Sequence, residues 1–314
     1  MRERVTAWAP ASISNLGPGF DALGAALSCW GDEVCVQLMP EKADRSVIFD
    51  ETGVWKGTTV LDKNTAGVSV LEVARLAGYE GGFSISIKKG IHAGSGVGSS
   101  AASAVAGAFA MSEALEAGFE KTDLIGAVMK GESIVSGAWH GDNVLPSLLG
   151  GFILMRSDTP TEFVKVEASS EMKLIVVLPQ VQVFTKKARE VLPKSVTLSQ
   201  AVDHAARLGL MIDALHRGDT RRFGSLSMSD GIVEPRRASF LSAYEFLKDA
   251  ALSAGADGCA LSGSGPAMFA VTNDASVARR VQDGFQEVCA AQSIHCRTAI
   301  DSVDSRGAKI LNHE

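Results

Sequence analysis

The run Lys88-Lys-Gly-Ile-His-Ala-Gly-Ser-Gly-Val-Gly-Ser-Ser-Ala-Ala102 constrains this chain more than any other. It passes from a strand end through three alternating glycines, Gly94, Gly96 and Gly98, to Ser99, Ser100 and a helix of small residues. Glycines let consecutive backbone N–H groups converge on one point, and the helix behind them adds its positive dipole end and unsatisfied donors. Together they form an anion cradle suited to a polyphosphate. Ala101, Ala102, Ser103, Ala104, Ala106, Gly107 and Ala108 make the helix thin enough to approach a sheet closely, which keeps the cradle rigid. Phosphoryl transfer asks for that rigidity, because positioning and electrostatics supply most of its catalysis. The loop lacks the Lys of G-x-x-x-x-G-K-[ST] and the spacing of G-x-G-x-x-G with a following acid, so it is neither a Walker loop nor a dinucleotide fingerprint. The plainer alternative is a glycine turn capped by Ser99, since serine is a favoured N-cap.

With 314 residues the chain exceeds what one core usually organises, so two domains are expected, with one large α/β domain as the alternative. A net charge of −6 argues against a nucleic-acid surface, which needs clustered Lys and Arg, and suits a small polar substrate. Five cysteines without CxxC spacing suggest neither a disulfide framework nor zinc, and fit a reducing cytoplasm. No apolar run approaches the roughly 18 residues of a membrane helix, and no apolar signal core follows the N-terminal charges.

Strands are expected at Val34–Leu38, Phe83–Lys89, Lys173–Leu178 and Met268–Thr272, and a first strand just after Met1. Helices are expected at Ser99–Leu115, Leu124–Val135, Leu198–Leu215 and Phe240–Leu252. Their irregular alternation favours α+β over a doubly wound parallel sheet. The polar connector Arg156–Glu162 sets the expected boundary, giving domains 1–158 and 159–314.

Three segments resemble the GHMP kinases, the superfamily of galactokinase, homoserine kinase, mevalonate kinase and phosphomevalonate kinase. The glycine-serine loop resembles their second motif. Leu261-Ser-Gly-Ser-Gly-Pro-Ala-Met-Phe-Ala270 is similar to the third. Ala9-Pro-Ala-Ser-Ile-Ser-Asn-Leu-Gly-Pro-Gly-Phe-Asp-Ala-Leu-Gly24 resembles the first in its homoserine kinase form, whereas sugar and mevalonate kinases carry different segments there. His140–Gly151, Thr185–Pro193 and Glu234–Arg237 are further segments similar to that branch. One departure stands out: His92 occupies a position where the family usually has Pro.

The resemblance implies an α+β two-domain GHMP fold, with an N-terminal domain carrying the loop, a C-terminal ferredoxin-like domain, and ATP and substrate in the cleft between. It implies ATP on Asn64, Ala93, Gly94, Ser95, Gly96, Val97, Gly98, Ser99 and Ser100, and Mg2+ held by Ser99 or Ser100 with Glu132. Asn64 could equally be an ordinary turn or cap residue. For the acceptor, L-homoserine, it implies Asn15 and Asp21 at the ammonium and hydroxyl end, Arg189 and Arg237 at the carboxylate, and His140 from a third side. Arg236 stays open beside Arg237. Asn143 falls where mevalonate kinases have a catalytic Asp; Asp142 is cast as a positioning residue and Thr185 as the closer contact to the reacting hydroxyl. Dimerisation is common in the family, so a homodimer is among the expected states. Competing readings are a GHMP kinase for another small hydroxylated acid and a non-catalytic nucleotide-binding protein of the same fold.

Overall fold

The computed structural model describes residues 1–136 and 141–313. The side chains of residues 135, 136 and 185 lie outside that description. Two sheets organise the chain. The first begins with β1 (Arg4–Asn15) and β2 (Gly19–Met39), an antiparallel pair far longer than the Val34–Leu38 stretch expected for the second strand. It continues through β3 (Arg45–Phe49), α1 (Thr65–Leu76), β4 (Gly82–Lys88) and α2 (Ser99–Ala114). Next come α3 (Ile125–Ser136), α4 (Gly141–Leu149), β5 (Phe152–Met155) and β6 (Phe163–Val166). The second sheet contains β7 (Lys173–Pro179) and, after α5 (Thr185–Glu190), α6 (Leu198–His216), α7 (Thr220–Ser227), α8 (Glu234–Arg237) and α9 (Tyr244–Ser253), β8 (Gly258–Leu261) and β9 (Met268–Thr272). Helix α10 (Ala275–Ala291) and β10 (Cys296–Asp301) complete it, and β11 (Lys309–His313) returns to pair with β1.

The order β10-β7-β9-β8 is antiparallel throughout, and α9 and α10 pack on one face. Strand β7 shows the two-residue period of a sheet buried on both sides. Its Ile175 and Val177 join Leu247, Val281 and Phe285 beneath those helices, while Leu174, Val176 and Leu178 face the first sheet. This second face meets Ile13, Leu23, Leu27, Phe152 and Phe223 in a core shared by both sheets. A third core lies under α1, α2 and α3, where Phe83, Ile85 and Ile87 of β4 meet the alanine face of α2. The small residues of α2 also serve its contact with another helix: Gly107 admits Ala66 and Val70 of α1 so closely that an added Cβ would lie 3.2 Å from each.

The connector at 156–162 joins β5 to β6, which pair with each other, and the chain passes to the second sheet between Val166 and Lys173. Across the shared core, Asp301 of β10 accepts from the backbone N–H groups of Ser28 and Cys29 at 2.8 and 2.9 Å. Among the described residues no helix is long and apolar enough to cross a membrane.

Candidate functional site

The two sheets leave a cleft of about 710 Å³ whose wall includes the glycine-serine loop. Gly94, Gly96 and Gly98 adopt left-handed backbone angles, with φ of +70°, +81° and +64°, which side-chain-bearing residues adopt only under strain. Gly98 is itself the N-cap of α2, so the plainer alternative of a turn capped by Ser99 does not hold. Ser99 starts the helix and donates its hydroxyl to the Ile91 carbonyl at 3.1 Å. Ser100 instead donates to Glu132 Oε1 of α3 at 2.9 Å, and Glu132 is 4% exposed. Ala93, Gly94, Ser95, Gly96, Gly98, Ser99 and Ser100 line the cleft, while Val97 turns its side chain into the shared core.

The turn after β8 holds this loop from the far side. Ser262 Oγ donates to the Gly96 carbonyl at 2.7 Å, and Ala267 N–H donates to the Ser95 carbonyl at 3.1 Å. Contact is close enough that a Cβ on Gly96 would sit 2.8 Å from backbone atoms of Ser262 and Gly265.

Asn64 lines the same cleft, with both ends of its amide engaged: Oδ1 accepts from Gly67 N–H at 3.0 Å as the α1 cap, and Nδ2 donates to the Thr58 carbonyl at 2.8 Å. Phe49, Trp55 and Ile87 extend this end of the cleft with apolar surface, to which the sequence reading assigned no role.

At the opposite end the first motif supplies Asn15 and Asp21, both with positive φ. Asn15 donates to the Gly263 carbonyl at 3.0 Å and accepts from Asp21 N–H at 3.2 Å. Arg189, carried by α5, pairs with Asp21, and Arg237 donates to the Gly263 and Ala188 carbonyls at 2.8 and 3.2 Å. Arg237 is 4% exposed; burial pushes its guanidinium down to about 10, the Asp21 charge opposing that shift. Arg236 faces away and donates to the Ile232 carbonyl. Both Arg189 and Arg237 lie over the Phe20 ring, at 5.6 and 5.2 Å from its centroid. Phe20 is not among the expected site residues; its place between Gly19 and Asp21 in the first motif is the signal the sequence carries for it.

Between the two ends, Asn143 of α4 accepts from Ser12 Oγ and donates to Ser14 Oγ, each at 3.0 Å, and Asp142 lies beside it, 2% exposed. The expected contact His140 lies outside the described residues, as does the side chain of Thr185, whose backbone opens α5. The site therefore joins an anion cradle, a serine-carboxylate pair, and a pocket lined by Asp21, Arg189 and Arg237.

This chain is matched by family models described as GHMP kinases N terminal domain, over residues 64–151, and GHMP kinases C terminal, over residues 211–291. A homoserine kinase of Methanococcus vannielii is 37% identical over 290 residues, 91% of this chain and 93% of that protein. A homoserine kinase of Arabidopsis thaliana is 35% identical over 98% of this chain and 85% of its own. The crystal structure of homoserine kinase from Cytophaga hutchinsonii superposes with a TM-score of 0.92 and 37% identity, covering 99% of this chain and 98% of that one. On its sequence, its two-sheet fold and the cleft between them, the chain belongs to the homoserine kinases of the GHMP kinase family.

Proposed function

We propose that the protein transfers the terminal phosphate of ATP to the side-chain hydroxyl of L-homoserine, giving ADP, O-phospho-L-homoserine and a proton, on the route to threonine. The observation that carries this reading is one cleft holding a phosphate cradle at one end and Asp21, Arg189 and Arg237 at the other. An amino acid presents an ammonium and a carboxylate, and these side chains offer the opposite charge to each. Held there, the acceptor directs its hydroxyl toward the glycine loop, and alignment of hydroxyl and phosphate accounts for much of the rate.

The backbone N–H groups of the loop and the N-terminus of α2 stabilise charge on the transferring phosphate. Ser100 and Glu132 have the hard-oxygen chemistry that Mg2+ prefers, and their contact at the cleft favours Ser100 over Ser99 as the hydroxyl partner. When bound, Mg2+ would neutralise phosphate charge. Thr185 and His140 keep their proposed roles beside the acceptor, and Asp142 and Asn143 are assigned to positioning. The five free thiols suit the reducing cytoplasm, where we place the reaction.

ADP release tests the reading directly, with Mg-ATP and a panel of L-homoserine, L-threonine, L-serine, mevalonate and pantoate, alongside Arg189→Ala. Turnover with homoserine alone, lost in the variant, is expected. Turnover with another acceptor would move the substrate and keep the phosphate site; none at all would leave a non-catalytic nucleotide binder.

A further inference from the structure

Below the phosphate loop lies an ion pair that neither the motifs nor the proposed chemistry uses. Asp32 of β2 is fully buried and Lys89, just past β4, is 6% exposed. The Lys89 ammonium donates to Asp32 Oδ2, to the Ser99 carbonyl at 2.8 Å and to Ser103 Oγ at 2.9 Å. An ammonium has three protons, so its donors are all engaged. The Ser103 hydroxyl, in turn, donates to Asp32 Oδ2 at 2.6 Å, and Gly90 N–H donates to Oδ1 at 3.0 Å. Although Lys89 borders the cleft, it has no proton left for a phosphate oxygen.

We propose that Asp32 and Lys89 are positioning residues for ATP: together they fix the entry to the glycine loop at Gly90 and the first turn of α2 at Ser99 and Ser103, so that the loop N–H groups converge on one anion. The network touches the loop on both sides of its glycines. Its charges also cancel, which matters because an uncompensated carboxylate at this depth would oppose the anion above it. From the second sheet, Arg297 adds an outer tie, donating to the Gly90 carbonyl at 2.8 Å while lying over Trp30. Gly90 is thereby held by its N–H from one side and its C=O from the other.

The inference rests on the phosphate-site reading but not on the identity of the acceptor, so Mg-ATP binding by calorimetry is the primary measurement. The variants are Lys89→Met and the uncharged pair Asp32→Asn/Lys89→Met, with the homoserine KM followed in each. Lys89→Met should weaken Mg-ATP binding by about 10-fold or more, and the double variant by a smaller factor, since it lacks the brace but not the charge balance. In both, the homoserine KM should stay within about twofold, because Asp21 and Arg189 belong to other elements. Mg-ATP affinity unchanged in folded variants would overturn the proposal, as would a homoserine KM that rises in step with it. If Lys89→Met does not fold, the double variant decides by the same criterion; failure of both to fold would mark the pair as part of the core and overturn the positioning role. A parent protein that binds no Mg-ATP would sink the phosphate-site reading first, and this inference with it.

Discussion

A single nitrogen of Arg189, Nη2, donates to both carboxylate oxygens of Asp21 at 2.8 Å each, joining residues 168 apart in the chain. The two charges satisfy each other across the pocket. A zwitterion replaces that contact with two, its ammonium on Asp21 and its carboxylate on Arg189, whereas an acid lacking the amine leaves Asp21 without its partner. Arg189→Ala is therefore expected to lower kcat/KM for homoserine by roughly 30-fold or more, the low end of the range for truncating one member of a buried hydrogen-bonded charge pair, because this pair is only partly buried. Mg-ATP affinity should change less than about twofold, because the cradle lies at the other end. Steady-state kinetics with ATP binding measured separately checks both parts.

The contact between Ser100 and Glu132 places a carboxylate at the edge of the phosphate site on a helix the loop does not belong to. Glu132→Gln keeps the volume and the hydrogen bond from Ser100 but removes the charge a divalent cation needs. A fall in kcat of about 10- to 100-fold is expected, with a higher Mg2+ concentration needed for half-maximal rate. A magnesium titration at saturating ATP reads this, and an unchanged midpoint would remove Glu132 from the metal-binding set.

Much of this site is written in contiguous sequence because backbone conformation requires it. Alternating glycines announce an anion cradle, and Gly94, Gly96 and Gly98 do take left-handed angles. Contacts made across the fold leave no such mark: Asp32 meets Lys89 over 57 residues, and neither has a local pattern that names its partner. Phe20 is an ordinary aromatic until two arginines from α5 and α8 come to lie over it. Strand β11 was missed for a related reason: its residues are mostly exposed and lack alternation, so pairing with β1 rather than burial makes it a strand. Helix α10, absent from the expected helices, does carry a signal in sequence, with Ala278, Val281, Phe285 and Cys289 buried at helical spacing.

Glu234 lies at the start of α8, 6% exposed, and accepts from the Tyr244 hydroxyl at 2.5 Å. Burial pushes its carboxyl above the ordinary 4.5, with Tyr244 and Lys248 partly opposing the rise. Because the folded form then holds its proton more tightly than the unfolded one, the contribution is full below about 4.5 and is lost as pH rises through the folded value. Subtracting the urea stability of Glu234→Gln from that of the parent at each pH should give a difference that declines over this window. A flat difference would show that Glu234 titrates alike in both states.

Gly96 ties the phosphate loop to the turn after β8, and its φ of +81° leaves no relaxed conformation for a side chain. In Gly96→Ala the new Cβ would press on backbone at 2.8 Å, so relief requires the loop or the turn to move. The backbone strain alone is worth about 1–2 kcal/mol, and the lower thermal midpoint should be accompanied by weaker Mg-ATP binding. A thermal midpoint and an Mg-ATP affinity equal to the parent's would show that the loop accepts the side chain without moving.

Asp142, beside Asn143 in the cleft, tempts as a general base, and its neighbour decides how to read it. Asn143 accepts from Ser12 and donates to Ser14, and its Nδ2 also lies 3.3 Å from Asp142 Oδ1. Asp142 thus shares in the network that holds α4 against β1, directly behind Gly98, where an added Cβ would lie 2.2 Å from Ser12 Oγ. Phosphoryl transfer through a loose transition state needs little help in deprotonating the attacking hydroxyl, so a carboxylate in such a network serves mainly to set geometry. Asp142→Asn is accordingly expected to lower kcat by about 10-fold while leaving the acidic limb of the kcat/KM profile in place. Loss of about 100-fold or more together with that limb would instead make Asp142 the base, and the hydroxyl's proton would then leave through it.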